Sequence, residues 1–216
     1  MKILLFFFSL LLTFQVIAKT ITGKVVSIHD GDTVTFLPDK EVKKAKLRLL
    51  GVDTPEIDFN GMNQGESAII ARDFLRSRLP LNAEVTIDLQ EKGMDSNNRY
   101  LGRLIYNGVD LNLVMLKEGI GALYFIYPYD KKLFATYSEA AKEAEILGIG
   151  IFSEKFRSNP LPYIFRQEAK GIPGTNIVGN FSSKKLYLPE DIKKIPTYER
   201  VFFSDEQWAR EQGFSW

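Results

Sequence analysis

Asp30-Gly31-Asp32-Thr33 and, further along, Arg48-Leu49-Leu50-Gly51-Val52-Asp53-Thr54-Pro55-Glu56 are the two blocks around which the rest of the chain reads. Asp32, Asp53 and the Thr54 carbonyl are hard oxygen donors of the kind Ca²⁺ selects, and Arg48 is a permanently charged fork suited to a phosphate. Glu56 stands just past those donors, beyond a Thr-Pro turn that can redirect the chain. Metal donors, a fixed cation and a further carboxylate in so short a span imply metal-assisted phosphodiester hydrolysis.

Outward from these blocks the pattern is that of short strands. Thr22 to Ile28 and Thr33 to Phe36 form a hairpin with Asp32 at its bend, and Ala45 to Leu50 alternates as a third strand with Arg48 on the face opposite Leu47 and Leu49. Glu66 to Leu79 has helical spacing, with Ile69, Ile70, Phe74 and Leu75 on one side and Pro80 closing it. Glu84 to Gln90 and Arg99 to Tyr106 supply two more strands, completing a five-stranded barrel. Asp110 is placed to cap a helix from Leu111 to Glu118, and Asp130 to cap one from Lys131 to Leu147 that Gly148 stops. In the latter, Leu133, Tyr137, Ala140, Ala144 and Leu147 make a packing stripe. The fold class expected is α+β, an oligonucleotide-binding-type barrel with three helices. Arg103 shares the strand face of Arg99 by the period of two, so it reads either as a phosphate contact or as a solvent-facing charge. In Tyr124-Phe125-Ile126-Tyr127-Pro128-Tyr129 the rings suit core packing, and equally stacking on bases.

The Asp-Gly-Asp-Thr and Arg-Leu-Leu-Gly-Val-Asp-Thr-Pro-Glu blocks resemble the staphylococcal nuclease-like (thermonuclease) family, and the resemblance runs from Thr22 to Phe152. It implies that Asp32, Asp53 and the Thr54 carbonyl hold Ca²⁺, that Glu56 serves the attacking water, and that Arg48 and Arg99 bind the phosphate. It also implies that Tyr127 lies near the nucleotide base. The activity implied is cleavage of DNA, preferentially single-stranded, and of RNA, leaving 3′-phosphates and 5′-hydroxyls, by a monomer. The sequence departs from the family pattern at Asp95-Ser96-Asn97-Asn98-Arg99, where a basic residue and a nucleotide-facing Tyr are missing. Asn98 still suits the left-handed turn there. Two other readings are a barrel kept for binding nucleic acid or protein, and a phosphoesterase of small nucleotides.

Of the 216 residues, 45% are hydrophobic and 25% charged, ordinary values for a globular chain able to bury a core. Met1 to Ala18 begins with one Lys, continues with a short apolar run and ends on a small residue, the order of a secretory signal peptide. Cleavage there predicts a mature chain from Lys19, secreted or periplasmic, without a stable membrane anchor. The formal charge of +1 falls to 0 with Lys2, so nucleic acid must be attracted locally. Cysteine is absent, which excludes thiol chemistry, and the solitary His29 reads as a structural hydrogen-bonding residue. The domain reading is 19–152 for the barrel, 153–175 for a linker punctuated by Pro and Gly, and 176–216 for a small α+β module. That module offers strands around Ile177 to Asn180, Lys185 to Leu188 and Glu199 to Phe203, then a helix capped by Ser204; it has neither Cys nor His, and zinc binding is not expected.

Overall fold

The structure is a computed structural model and describes residues 19–171, 174 and 176–216. The expected leader, and Ile172, Pro173 and Thr175 of the expected linker, lie outside the described residues. In chain order the elements are β1 (Thr20–Ile28), β2 (Thr33–Pro38), β3 (Ala45–Leu49), β4 (Gly51–Asp53), α1 (Glu66–Arg78), β5 (Glu84–Met94), β6 (Tyr100–Tyr106) and β7 (Val109–Asp110). They continue as α2 (Leu111–Lys117), β8 (Ala122–Ile126), α3 (Lys131–Leu147), a 3₁₀ turn (Gly150–Phe152) and α4 (Pro162–Lys170). The chain then forms β9 (Ile177–Asn180), β10 (Leu186–Tyr187), two further 3₁₀ turns, β11 (Arg200–Phe203) and α5 (Glu206–Glu211).

Alternation builds the barrel. Val34 and Phe36 of β2 and Leu47 and Leu49 of β3 point inward and are buried, while Thr35 and Arg48 between them are not fully covered. β1 pairs antiparallel with β2 and β5, β2 with β3, and β5 with β6; parallel pairing of β3 with β6, Arg48 opposite Leu101, closes the five strands into the expected barrel. Fully buried Asn112 of α2 stitches that seam. Its amide donates to the carbonyls of Leu50 at 2.8 Å and Gly102 at 3.2 Å, and its oxygen accepts the Leu104 N–H at 2.9 Å. Asp110 and Asp130 cap α2 and α3 as their positions predict, and Gly148 ends α3 in the left-handed conformation.

Two helices differ from the expectation. On α1 Leu75 is buried as expected, but Ile69 and Ile70 are 49% and 40% exposed, and Ser67, Ala68 and Ala71 are buried in their place. Small side chains let α1 come close to the barrel; a Cβ on Gly31 would lie 2.8 Å from that of Ala71, so the helix backs directly onto the bend carrying Asp32. On α3 the buried stripe is Phe134, Tyr137, Ala140, Ala141 and Ala144, and Leu147 is exposed.

The C-terminal segment continues the same body. β11 runs parallel to β8, giving a second sheet ordered β10-β9-β11-β8-β4, and Leu186, Val201, Phe203 and Phe214 join one core with Val25, Leu47 and Phe125. The stretch expected as a linker contains α4, with Pro162 at its first turn and Gly171 in the left-handed conformation at its end. Pro and Gly punctuate loops, but the same pair in this order also starts and stops a helix. The cap of α5 is Asp205, whose side chain accepts the Gln207 N–H at 2.7 Å, rather than Ser204. Among the described residues, no helix is long and apolar enough to cross a membrane.

Candidate active site

The bend between β1 and β2 is set by Asp30, whose carboxylate accepts the Asp32 N–H at 3.0 Å. Asp32 is thereby aimed across the sheet at Thr54, accepting its N–H at 2.7 Å and its hydroxyl at 3.0 Å on one oxygen, while the other accepts the Thr33 hydroxyl at 3.2 Å. The β2–β3 register puts Thr33 opposite Arg48, and Arg48 forms ion pairs with Asp32 and, at 2.6 Å, with Asp53. Gly51, at φ 77°, turns the chain from β3 into β4, and a Cβ there would lie 2.5 Å from the Phe125 ring. β4 then pairs with β8, Asp53 opposite Ala122, which leaves the Asp53 carboxylate fully buried.

Beyond Pro55 the Gln64 side chain steadies Glu56, accepting its N–H at 3.0 Å while the Gln64 amide donates to the Pro160 carbonyl at 2.8 Å. The structure therefore brings Asp32, Arg48, Asp53, Thr54 and Glu56 into one cluster. It also adds a residue that sequence reasoning missed. Arg166 of α4 grips Asp53 with both arms of its guanidinium, at 2.8 and 2.9 Å, and reaches Glu56 at 2.6 Å. The helix is held so by Tyr163, one turn earlier, whose ring stacks on Tyr124 at 5.5 Å and whose hydroxyl meets the buried Arg200. Nothing local marks Arg166 in the sequence; the only hint is an aromatic and an arginine one helical turn apart between Pro162 and Gly171.

Crowded charge shifts the proton affinities. Burial and the neighbouring Asp32 push the Asp30 carboxyl up to about 7. Burial by itself would raise Asp32, yet Arg48 and the Thr54 N–H hold it below the usual carboxylate range. Glu56 is raised by burial and by Asp32, against the pull of Arg166. For Arg166, burial would weaken the cation, but Asp53 and Glu56 strengthen it beyond an ordinary arginine.

The remaining candidates are engaged by other partners. Asp95 holds the turn before β6 by accepting the N–H groups of Asn97 and Arg99 at 2.9 and 3.0 Å, with Asn98 left-handed as expected, and its other oxygen pairs with the Arg99 guanidinium at 2.7 Å. Arg103 is engaged by Asp88 across the β5–β6 pair and by Asp110 at 3.4 Å, where the Tyr137 hydroxyl also donates to Asp110. Tyr127 faces the C-terminal segment; its ring stacks on Phe203 at 5.7 Å and its hydroxyl accepts from Gln212 at 3.1 Å. His29 meets the Thr35 hydroxyl at 2.8 Å, a structural bond as expected.

Among the described residues no group of three or more Asp, Glu, His or Cys side chains is placed to hold a metal ion as they stand, and the carboxylates of the cluster are bonded to guanidinium groups. The donor chemistry nonetheless fits a hard divalent cation, with two carboxylates and a backbone carbonyl as oxygen donors.

Residues 46–154 match the family described as staphylococcal nuclease homologue, and they carry Arg48, Asp53, Thr54, Glu56 and Arg99. The chain belongs to that family. It is 30% identical over 199 residues to Endonuclease YhcR of Bacillus subtilis, covering 89% of this chain and 16% of YhcR. It is 32% identical over 167 residues to an uncharacterized endonuclease of Haemophilus influenzae, covering 75% of this chain and 84% of that protein. It is 30% identical over 132 residues to the thermonuclease of Staphylococcus hyicus, covering 61% of this chain and 76% of that one. The YhcR match is longer than the family segment itself and so takes in sequence outside residues 46–154.

Proposed function

We propose that the chain is a metal-dependent nuclease that hydrolyses phosphodiester bonds in DNA, preferentially single-stranded, and in RNA. The observation that carries this reading is the gathering of Asp32, Arg48, Asp53 and Glu56 into one hydrogen-bonded cluster. Asp32, Asp53 and the Thr54 carbonyl would hold Ca²⁺, and when bound the ion supplies Lewis acidity at a phosphoryl oxygen. Glu56 takes the proton from the attacking water, its raised proton affinity bringing it nearer to that task. Arg48, already bridging the two aspartates, and Arg99, partly exposed on Asp95, donate to the phosphate oxygens as charge builds on them. Residues 1–18 would direct the protein out of the cytoplasm and be removed, leaving Lys19 first, which N-terminal sequencing of exported protein tests.

The deciding experiment is to incubate the purified protein with single-stranded DNA, RNA and a dinucleotide, with Ca²⁺ and with a chelator. Ca²⁺-dependent cleavage of the polymers supports the proposal, and cleavage of the dinucleotide alone would move it to a small-nucleotide phosphoesterase. DNA bound but uncut in every condition, with Glu56→Gln behaving as the parent, would leave a binding barrel.

A further inference from the structure

The carboxylates that would take a divalent cation are already satisfied by cations of the protein's own. Both oxygens of Asp53 are used: one accepts from Arg48 and Arg166, the other from Arg166 alone. Arg48 lies within the family segment, on the strand next to the one that follows Asp32; Arg166 comes from outside that segment, on a helix with its own anchors. Tyr163 against Tyr124, Lys170 above the Phe59 ring at 5.6 Å, and Lys155 paired with Glu66 at 2.6 Å fasten residues 155–170 over the loop carrying Glu56. The Arg166 side chain is 19% exposed and Asp53 has no exposure, so water screens this pair little. A divalent cation on the same buried carboxylate would stand close to the Arg166 guanidinium, and the two like charges would repel with little screening.

We propose that Arg166 is the resident cation of the carboxylate cluster, which a divalent cation must displace from Asp53, so that α4 sets the cation concentration at which the site fills. This rests on the reading that Asp32 and Asp53 hold the metal. The consequence is opposite to that of a residue that merely shapes the site: removing Arg166 tightens metal binding. A bidentate, charge-assisted contact made in a poorly screened place is among the stronger polar interactions. Releasing Asp53 from it should therefore lower the Ca²⁺ dissociation constant by about tenfold or more, a factor equivalent to ~1.4 kcal/mol.

The test is calorimetric titration of Ca²⁺ into the metal-free full-length protein and into Arg166→Met and Arg166→Lys, with the fold of each checked by circular dichroism. Methionine keeps an apolar stem beside Tyr124 without a charge; lysine keeps the charge but has no fork, so its gain should be smaller, about threefold. Should the methionine variant not fold, the lysine variant decides the matter by the same sign. Tighter binding in the order Met, Lys, parent supports the proposal. Unchanged or weaker Ca²⁺ binding in the variants, with the parent binding normally, overturns it and leaves the metal reading intact. No Ca²⁺ binding by parent or variants overturns both.

Discussion

Replacing Phe203 with alanine tests whether the C-terminal segment and the barrel are one cooperative body. Phe203 lies on β11 with no solvent exposure, its ring 5.7 Å from Tyr127 and 5.0 Å from Phe214, in the same core as Phe125 and Phe134. Deleting a fully buried phenylalanine ring costs about 3–5 kcal/mol through lost transfer energy and the cavity left behind. At about 2–4 °C per kcal/mol for a protein of this size, the melting temperature should fall by roughly 6–20 °C. The chain supplies the probe, since both tryptophans, Trp208 and Trp216, lie in the C-terminal segment while most regular structure lies in the barrel. Fluorescence therefore reports the appended part and far-ultraviolet circular dichroism mainly the rest. The two curves should coincide in the parent and move together in Phe203→Ala. A fluorescence transition that drops while the main dichroism transition stays in place would refute the reasoning and make the segment a separately folding module.

Further outcomes follow from the site. Glu56→Gln and Arg99→Ala should each lower single-turnover cleavage of single-stranded DNA by about 10²–10³, with DNA affinity in a non-supporting metal little changed. Asp32→Asn removes an anionic donor and should raise the Ca²⁺ concentration giving half-maximal activity, excess Ca²⁺ restoring part of it. Gly31→Ala places a Cβ 2.8 Å from both Ala71 and the Thr54 side chain, so it should cost about 1–3 kcal/mol in urea unfolding. Because its guanidinium is taken up by Asp88 and Asp110, Arg103→Ala should lower the melting temperature while leaving DNA affinity within about twofold of the parent, as exposed or half-exposed pairs contribute modestly.

What the sequence discloses is what is local. The barrel strands show through alternation, and α2 and α3 through Asp110, Asp130 and Gly148, because a cap bonds to a backbone group two or three residues away. The Asp32 and Asp53 cluster is legible since both ends lie in short, dense blocks that the hairpin and β3 carry together. The face of α1 is not, because Ile69 and Ile70 outweigh the alanines in any hydropathy pattern, whereas close approach to the Gly31 bend favours the small side chains. The place of Tyr127 depends on Phe203 and Gln212, and that of Arg166 on Asp53 and Glu56, all remote in the chain. Such contacts have no local periodicity, and a Pro-and-Gly-flanked segment hides a helix as readily as a loop.

The parallel seam between β8 and β11 also decides how the protein meets its neighbours. β8 has β4 on one side and β11 on the other, so its N–H and C=O groups are spent within the molecule. A chain cut after the family segment would leave Phe125 and Ile126 without their β11 partners, an open apolar edge on which other chains can pair. The C-terminal strands thus act as a selvedge on the nuclease fold, and solubility at high concentration, before any effect on cleavage, is where their loss should first be felt.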